Sequence, residues 1–340
     1  MILVFYMRYL LTLCVACFIS AVHANSTVPA FDKRLSGYAY PFEVDAMQFS
    51  SQGQQLTMNY MFLPPEDAKP VITLLHGKNF NGAYFERIAS QLHQRGYGVL
   101  MPDQIGFGKS SKPVDYQYSF AALASHTKQL LRTLDISKTL LVGHSMGGML
   151  ASRFALLYPD TVSKLVLVNP IGLENYLHYV KYKDVQFFYE NERKKTPQAI
   201  ADYQRKNYYA GNWNDTYQAL AAPLQGWVKG DDWPLLARVS ALTYDMIFTQ
   251  PVIDEFDALS MPVSLILGTR DTTGPGRNWK KEGVTYTLGE YDKLGERVKQ
   301  RNAAINVHEL DDLGHLPFIE DFSRFMPVFM TALTDKPAEE

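Results

Sequence analysis

Leu141-Val142-Gly143-His144-Ser145-Met146-Gly147-Gly148 is the stretch that decides the fold. An apolar run, Thr139 to Gly143, leads into it, and Met149-Leu150-Ala151-Ser152-Arg153-Phe154-Ala155 leads out as a helix. Gly-x-Ser-x-Gly carries meaning through its context. Between a buried strand and a helix it implies a sharp turn that holds the serine in a strained backbone with its hydroxyl exposed. Gly143 and Gly147 lack a Cβ, which relieves crowding at such a turn. The hydroxyl then stands at a helix N-terminus, where the dipole favours developing negative charge. Ser145 is therefore the candidate nucleophile.

The strand before Ser145 has companions. Residues 71–75, 97–101, 164–168, 262–267 and 305–310 are short apolar runs or strand-like stretches, and helical patterns at about 81–95, 119–134, 147–158, 290–303 and 319–333 separate them. Continuous apolar runs read as strands buried on both faces, the mark of a parallel sheet. Alternation with helices gives an α/β architecture with helices flanking that sheet. Ahead of it, residues 42–50 and 55–63 alternate in polarity around Ser51-Gln52-Gly53-Gln54, which predicts an antiparallel hairpin.

One interval breaks the alternation. More than 90 residues between the runs at 164–168 and 262–267 lack a convincing strand. They are helical in character and rich in aromatics, from Tyr176 and Tyr179 through Trp213 and Trp227 to Phe248. This predicts an inserted helical cap over residues 171–255, with the core at 38–170 and 256–335 and a linker at 25–37.

A serine hydroxyl is a weak nucleophile and needs a base. Elbows of this kind take their partners in the order Ser, acid, His. Three histidines follow Ser145: His178 falls in the cap, His308 within the last strand, and His315 in the loop after that strand. A loop at the carboxyl end of a strand can reach the elbow, so His315 is the candidate general base. Leu265-Ile266-Leu267-Gly268-Thr269-Arg270-Asp271 puts Asp271 after a strand, as the carboxylate that orients the imidazole. Asp245, Asp254 and Asp257 follow no strand. An oxyanion needs N–H donors aimed at it. Met146 N–H, just after Ser145, is one candidate. The other lies in His76-Gly77-Lys78-Asn79-Phe80, with Lys78 preferred and Asn79 second. Asn79 and His144 are also candidate substrate contacts, and His76 is expected to hold its loop.

Taken together, His76-Gly77, Asp103 to Ser111, Gly143 to Gly148, Gly268 to Asp271 and Gly314-His315 resemble the α/β-hydrolase superfamily. The resemblance runs in order over about residues 40–333. It is closest to the capped branch: bacterial esterases, carbon–carbon bond hydrolases, proline iminopeptidase-like enzymes, epoxide hydrolases and haloalkane dehalogenases. It implies a Ser145–His315–Asp271 triad and a loop-shaping role for Asp103 to Ser110. Epoxide hydrolases and dehalogenases of this branch carry Asp at the Ser145 position. Dehalogenases and iminopeptidases tend to carry Trp where this chain has Met146. Hydrolysis of a carboxylic ester or lactone is thus expected. The alternatives are an aminopeptidase, which needs cap carboxylates such as Glu174, Asp184, Glu190 or Glu192 to hold an ammonium, or a carbon–carbon bond hydrolase. A non-catalytic binding protein on the same scaffold would typically lack a triad member, and none is missing.

The remaining signals bound the setting. Arg8, the apolar run Tyr9 to Ile19 and Ser20-Ala21-Val22-His23-Ala24 form the pattern of an export signal, with cleavage after Ala24. The run is short of the roughly 20 residues that span a bilayer, so a periplasmic or secreted protein with no stable membrane insertion is expected. Residues 1–24 hold Arg8, Cys14 and Cys17, so the mature chain would have no cysteine and a net charge of −3, from 32 basic and 35 acidic residues. Such a charge gives no attraction to nucleic acid. No His or carboxylate cluster has metal-ligand spacing and no phosphate loop appears, so no metal or cofactor is expected. The expected partner is a small-molecule substrate with an apolar or aromatic part, since pockets under caps are mostly lined by such side chains.

Overall fold

A computed structural model describes residues 28–337. The expected signal peptide, residues 1–24 with its cut after Ala24, lies outside the described residues. Within them, no helix is long and apolar enough to cross a membrane.

Eight strands form one sheet in the order β1-β2-β4-β3-β5-β6-β7-β8. β1 (Asp45–Ser51) and β2 (Gln54–Leu63) make the expected hairpin. Its turn is only Gln52-Gly53, both at positive φ (50° and 73°), as a tight two-residue hairpin loop requires. β2 runs antiparallel to β4, and β3 (Val71–Leu75), β4 (Gly98–Pro102), β5 (Thr139–His144), β6 (Val162–Val168), β7 (Val263–Gly268) and β8 (Asn306–Leu310) are parallel. Their apolar runs divide between two faces. Leu165 and Leu167 join one core cluster, Val166 and Val168 the other. α2 (Phe120–Thr133), α3 (Met146–Leu157) and α9 (Tyr291–Arg301) cover the first face. α1 (Glu86–His93) and α11 (Phe322–Thr334) cover the second. The helix expected at 81–95 begins as a 3₁₀ turn, Gly82–Phe85. The one expected at 319–333 is split into α10 (Pro317–Glu320) and α11 at Asp321, whose carboxylate caps the second.

From β3 the chain steps to β4 on one side and returns to β5 on the other. The crevice where the order reverses lies at the strands' carboxyl ends, the place where open α/β sheets bind ligands. The loops after β3 and β5 both open into it. The elbow forms there because its glycines admit backbone contact. A Cβ on Gly147 would overlap the carbonyl oxygen of Leu75 in β3, and one on Gly143 would overlap the Gly147 carbonyl. Gly147→Ala must therefore push α3 off β3. We expect a loss of about 3 kcal/mol in chemical denaturation, together with a loss of activity. Unchanged stability would refute this packing.

Five helices sit between β6 and β7: α4 (Tyr176–Tyr179), α5 (Val185–Arg193), α6 (Pro197–Tyr208), α7 (Asp215–Lys229) and α8 (Trp233–Thr249). α5 packs on α8 and α6 on α7. The segment read as a linker is, from Val28 on, packed rather than free. Leu35 is fully buried, and Phe31 fills a notch over Gly226, where a Cβ would overlap its ring. Trp227 Nε1 donates to the Asp32 carbonyl (3.0 Å), Lys33 N–H to Asp232 (2.8 Å) and Arg34 to the Lys109 carbonyl (2.9 Å). The strap thus ties α7 and the start of α8 to the loop after β4. Two apolar residues four apart among polar ones gave no sign of it in sequence.

Candidate active site

Ser145 is the residue just before α3, at φ 56° and ψ −122°. A non-glycine residue with positive φ costs of order 1–3 kcal/mol and persists only where its surroundings enforce it. Here β5 and α3 converge on the turn, and the Ser145 carbonyl accepts from Gly148 N–H (2.9 Å) and Ile171 N–H (3.1 Å).

Ser145 Oγ lies 2.9 Å from His315 Nε2, and His315 Nδ1 lies 2.6 Å from Asp271 Oδ2. The loops after β5, β8 and β7 thus bring the three residues into one hydrogen-bonded line. Asp271 is buried and surrounded by donors. Asn169, at the end of β6, gives its Nδ2 to Oδ2 (2.9 Å), and Thr273 N–H reaches Oδ1 (2.8 Å). Burial alone would raise the carboxyl, but the charge of His315 and the hydrogen bonds from His315, Thr273 and Asn169 outweigh it and hold it below the ordinary value of 3.8. Asn169 is itself pinned, its Oδ1 accepting from Gly268 N–H (2.9 Å). Tyr208, from α6, stacks on the His315 ring at 4.8 Å.

His144 does not reach the cavity, which corrects the expectation that it contacts substrate. As the last residue of β5 it points beneath the elbow and is fully buried. Its Nε2 lies 2.8 Å from the His315 carbonyl, which can only accept, so Nε2 carries the proton. Nδ1 then accepts from the Tyr84 hydroxyl (2.7 Å). Burial, with the His315 imidazole alongside, pushes His144 well below the usual histidine range, and it stays neutral. Its task is to hold the backbone of His315. His76 holds two loops in the same way, accepting from Gln104 N–H (3.1 Å) and donating to the Gly77 carbonyl (2.9 Å). Asp103 takes Gly82 N–H, Lys109 N–H and the Tyr40 hydroxyl, shaping its loop as expected.

The loop after β3 presses on the elbow: a Cβ on Gly77 would sit 3.0 Å from the Ser145 Cβ. Gly77 N–H is taken by the Tyr84 hydroxyl (2.9 Å) and Phe80 N–H by the Gly77 carbonyl (3.2 Å). The N–H groups of Lys78, Asn79 and Met146 have no acceptor among the described residues. The Lys78 ammonium is fully engaged. It donates to Ser240 O, Ser240 Oγ and Thr243 Oγ1 on α8, each at 2.9 Å, and lies 4.0 Å above the Tyr244 ring. Burial lowers it to about 7, against the opposing pull of Glu192. Asn79 donates to the Tyr208 hydroxyl (2.9 Å) at the cavity wall, where it was expected.

Above Ser145 opens a cavity of about 420 Å³. Of the cap aromatics, Phe187, Phe188, Tyr203, Tyr208, Tyr244 and Phe248 line it. Tyr209 instead stacks on Tyr217 at 3.6 Å inside the cap. Trp279, from the long loop after β7, completes the wall. Neither that loop nor Asn169 had a periodic signal to mark it. Of the four cap acids, only Glu192 lines the cavity, paired with Lys195 (2.7 Å) and accepting from Ser240 Oγ (2.9 Å). Glu174 accepts from Tyr286 and Gly289, Asp184 caps α5 and Glu190 binds Gln186. His178 is exposed, His308 bonds Asp335, and Asp245 accepts from Tyr182.

The strand order, the serine elbow at its switch point and the helices inserted after β6 define the α/β-hydrolase class. A family model described as alpha/beta hydrolase fold matches residues 70–280, and the chain belongs to that family. It is similar to the crystal structure of a probable hydrolytic enzyme from Pseudomonas aeruginosa PAO1, with 41% identity over 91% of this chain and 99% of that one and a TM-score of 0.88. It also resembles a fluoroacetate dehalogenase from Burkholderia sp. (39% identical over 35% of this chain and 38% of that one) and Lipase 1 of Psychrobacter immobilis (38% identical over 30% and 32%). The chain spans about a third of the length of the curated relatives it matches. By family and relatives it is a hydrolase.

Proposed function

We propose that this hydrolase is an exported serine enzyme that cleaves a carboxylic ester or lactone through an acyl-enzyme. The observation that carries the reading is the line Ser145–His315–Asp271 opening onto an aromatic-walled cavity. Ser145 Oγ attacks the carbonyl carbon while His315 Nε2 takes its proton. The carbonyl becomes an oxyanion, held by Met146 N–H and Lys78 N–H. As the carbon–oxygen bond breaks, His315 returns the proton to the leaving oxygen. Water, deprotonated by His315, then releases the acid and restores Ser145. The aromatic wall favours an apolar or aromatic substrate group. Export rests on the pattern of residues 1–24 alone.

An ammonium-binding aminopeptidase is less favoured, because the one cap acid at the cavity, Glu192, already has Lys195 as its partner. The test runs p-nitrophenyl esters and prolyl-naphthylamide side by side, with a fluorophosphonate probe on the mature protein. Ester turnover and labelling of Ser145 are expected. Amide turnover without ester turnover, or no labelling of folded protein, would reject the reading.

A further inference from the structure

The cavity has a charged corner that ester cleavage in general does not need. Arg277 lies on the loop after β7 and borders both the cavity over Ser145 and a wider outer cleft. Its guanidinium donates to the Thr272 carbonyl and to Asn207 Oδ1, two neutral acceptors. No carboxylate of the described residues lies within ion-pairing distance of it. Its neighbours differ. Arg270 is paired with Glu320 and Asp312, and Lys195 with Glu192. Asp271 is held by His315. The other acids of the outer cleft are Asp202, paired with Arg205, Glu290, paired with Lys293 and Arg297, and Asp292. Against them stand Arg277, Lys206 and Lys280, none ion-paired among the described residues.

Direction follows from the chemistry. His315 must hand its proton to the leaving oxygen, so the leaving group lies on the His315 side of the scissile bond. Arg277 is tied to that side through Asn207, the chain neighbour of Tyr208, whose ring stacks on His315 at 4.8 Å, and Asn207, Tyr208 and Arg277 all line the cavity over Ser145. Two of its five N–H groups fix the guanidinium, and the remaining donors suit a planar, two-oxygen acceptor. Building on the ester reading above, we propose that Arg277 recognises a carboxylate on the leaving group. The substrate class is then an ester of a carboxylate-bearing alcohol or phenol, its apolar acyl part against the aromatic wall.

Two matched probes test this: the butanoate esters of 4-hydroxybenzoate and of 4-hydroxybenzamide. They share shape and differ in charge. The parent enzyme should favour the anionic ester in kcat/KM by about 10-fold or more, within the range that charge-assisted hydrogen bonds allow. Arg277→Gln should abolish the preference through KM and leave the neutral ester within about 2-fold, while Arg277→Lys, a charge without the fork, should keep only part of it. Equal turnover of the two esters by the parent, or equal slowing of both by Arg277→Gln, overturns the proposal and leaves the ester reading intact. Turnover of neither ester overturns the ester reading instead. Calorimetric binding of 4-hydroxybenzoate against 4-hydroxybenzamide then decides the role of Arg277. Tighter binding of the anion that Arg277→Gln removes supports it, and equal or undetectable binding of both rejects it.

Discussion

Ser145→Ala should lower kcat on p-nitrophenyl butanoate by about 10⁶, the loss typical when a triad serine is removed, while the protein stays folded. The two halves of that result have separate causes. Among the described residues the hydroxyl makes one hydrogen bond, with His315 Nε2, at the floor of the cavity. Its removal deletes the nucleophile and almost no packing. The strain at Ser145 belongs to the backbone, at φ 56°, and alanine inherits it. Ser145→Gly does not, because glycine takes positive φ freely. Ser145→Gly should therefore unfold later than Ser145→Ala, by about 1 kcal/mol, with both inactive. Ester turnover by Ser145→Ala at the parental rate would remove Ser145 from the chemistry. A glycine variant no more stable than the alanine variant would show that the turn is not strained.

What the sequence could reveal depended on how local the cause was. The elbow was legible because its requirements lie in one unbroken stretch of chain: a buried strand, two glycines and a helix start. Asp271 and His315 were legible because each follows a strand by a few residues, Asp271 an apolar one and His315 the last strand of the sheet, and strand ends of a parallel sheet converge. His144 is not the substrate contact expected of it, because the turn that lifts Ser145 leaves its predecessor beneath the elbow, fully buried against the His315 backbone. The cavity wall was not legible. Phe188 and Tyr209 have equal claims by composition, yet one lines the cavity and the other stacks within the cap. Which way a cap helix faces depends on packing against α8 and the core, and no spacing within one helix records it. Asn169 shows the same limit. It follows β6 as many loop residues follow strands, and only the neighbouring β7 makes it a partner of Asp271.

That partnership makes Asp271→Asn the more exacting test. Three donors converge on the carboxylate: His315 Nδ1 and Asn169 Nδ2 on Oδ2, and Thr273 N–H on Oδ1. A carboxylate accepts all three, while an amide has one acceptor oxygen and two donor hydrogens. If the asparagine oxygen faces His315 and Asn169, its NH₂ opposes Thr273 N–H. If the NH₂ faces His315, the imidazole must move its proton to Nε2 and can no longer accept from Ser145. Asn169 cannot relieve this by turning over, because its Oδ1 already serves Gly268 N–H. Either arrangement leaves the base misprotonated or the acid loop disturbed, and kcat should fall about 10⁴-fold. Stability follows with a definite sign. The folded pKa of Asp271 lies below its unfolded value, so its contribution is present above pH 3.8 and is lost as pH falls through the folded value. The variant lacks that contribution at every pH. Its unfolding free energy should therefore lie below the parent's near neutrality, and the two curves should converge under acid. A fall in kcat of less than tenfold, or a stability gap that persists unchanged at low pH, would mean that Asp271 carries neither the orientation of His315 nor the charge beside it.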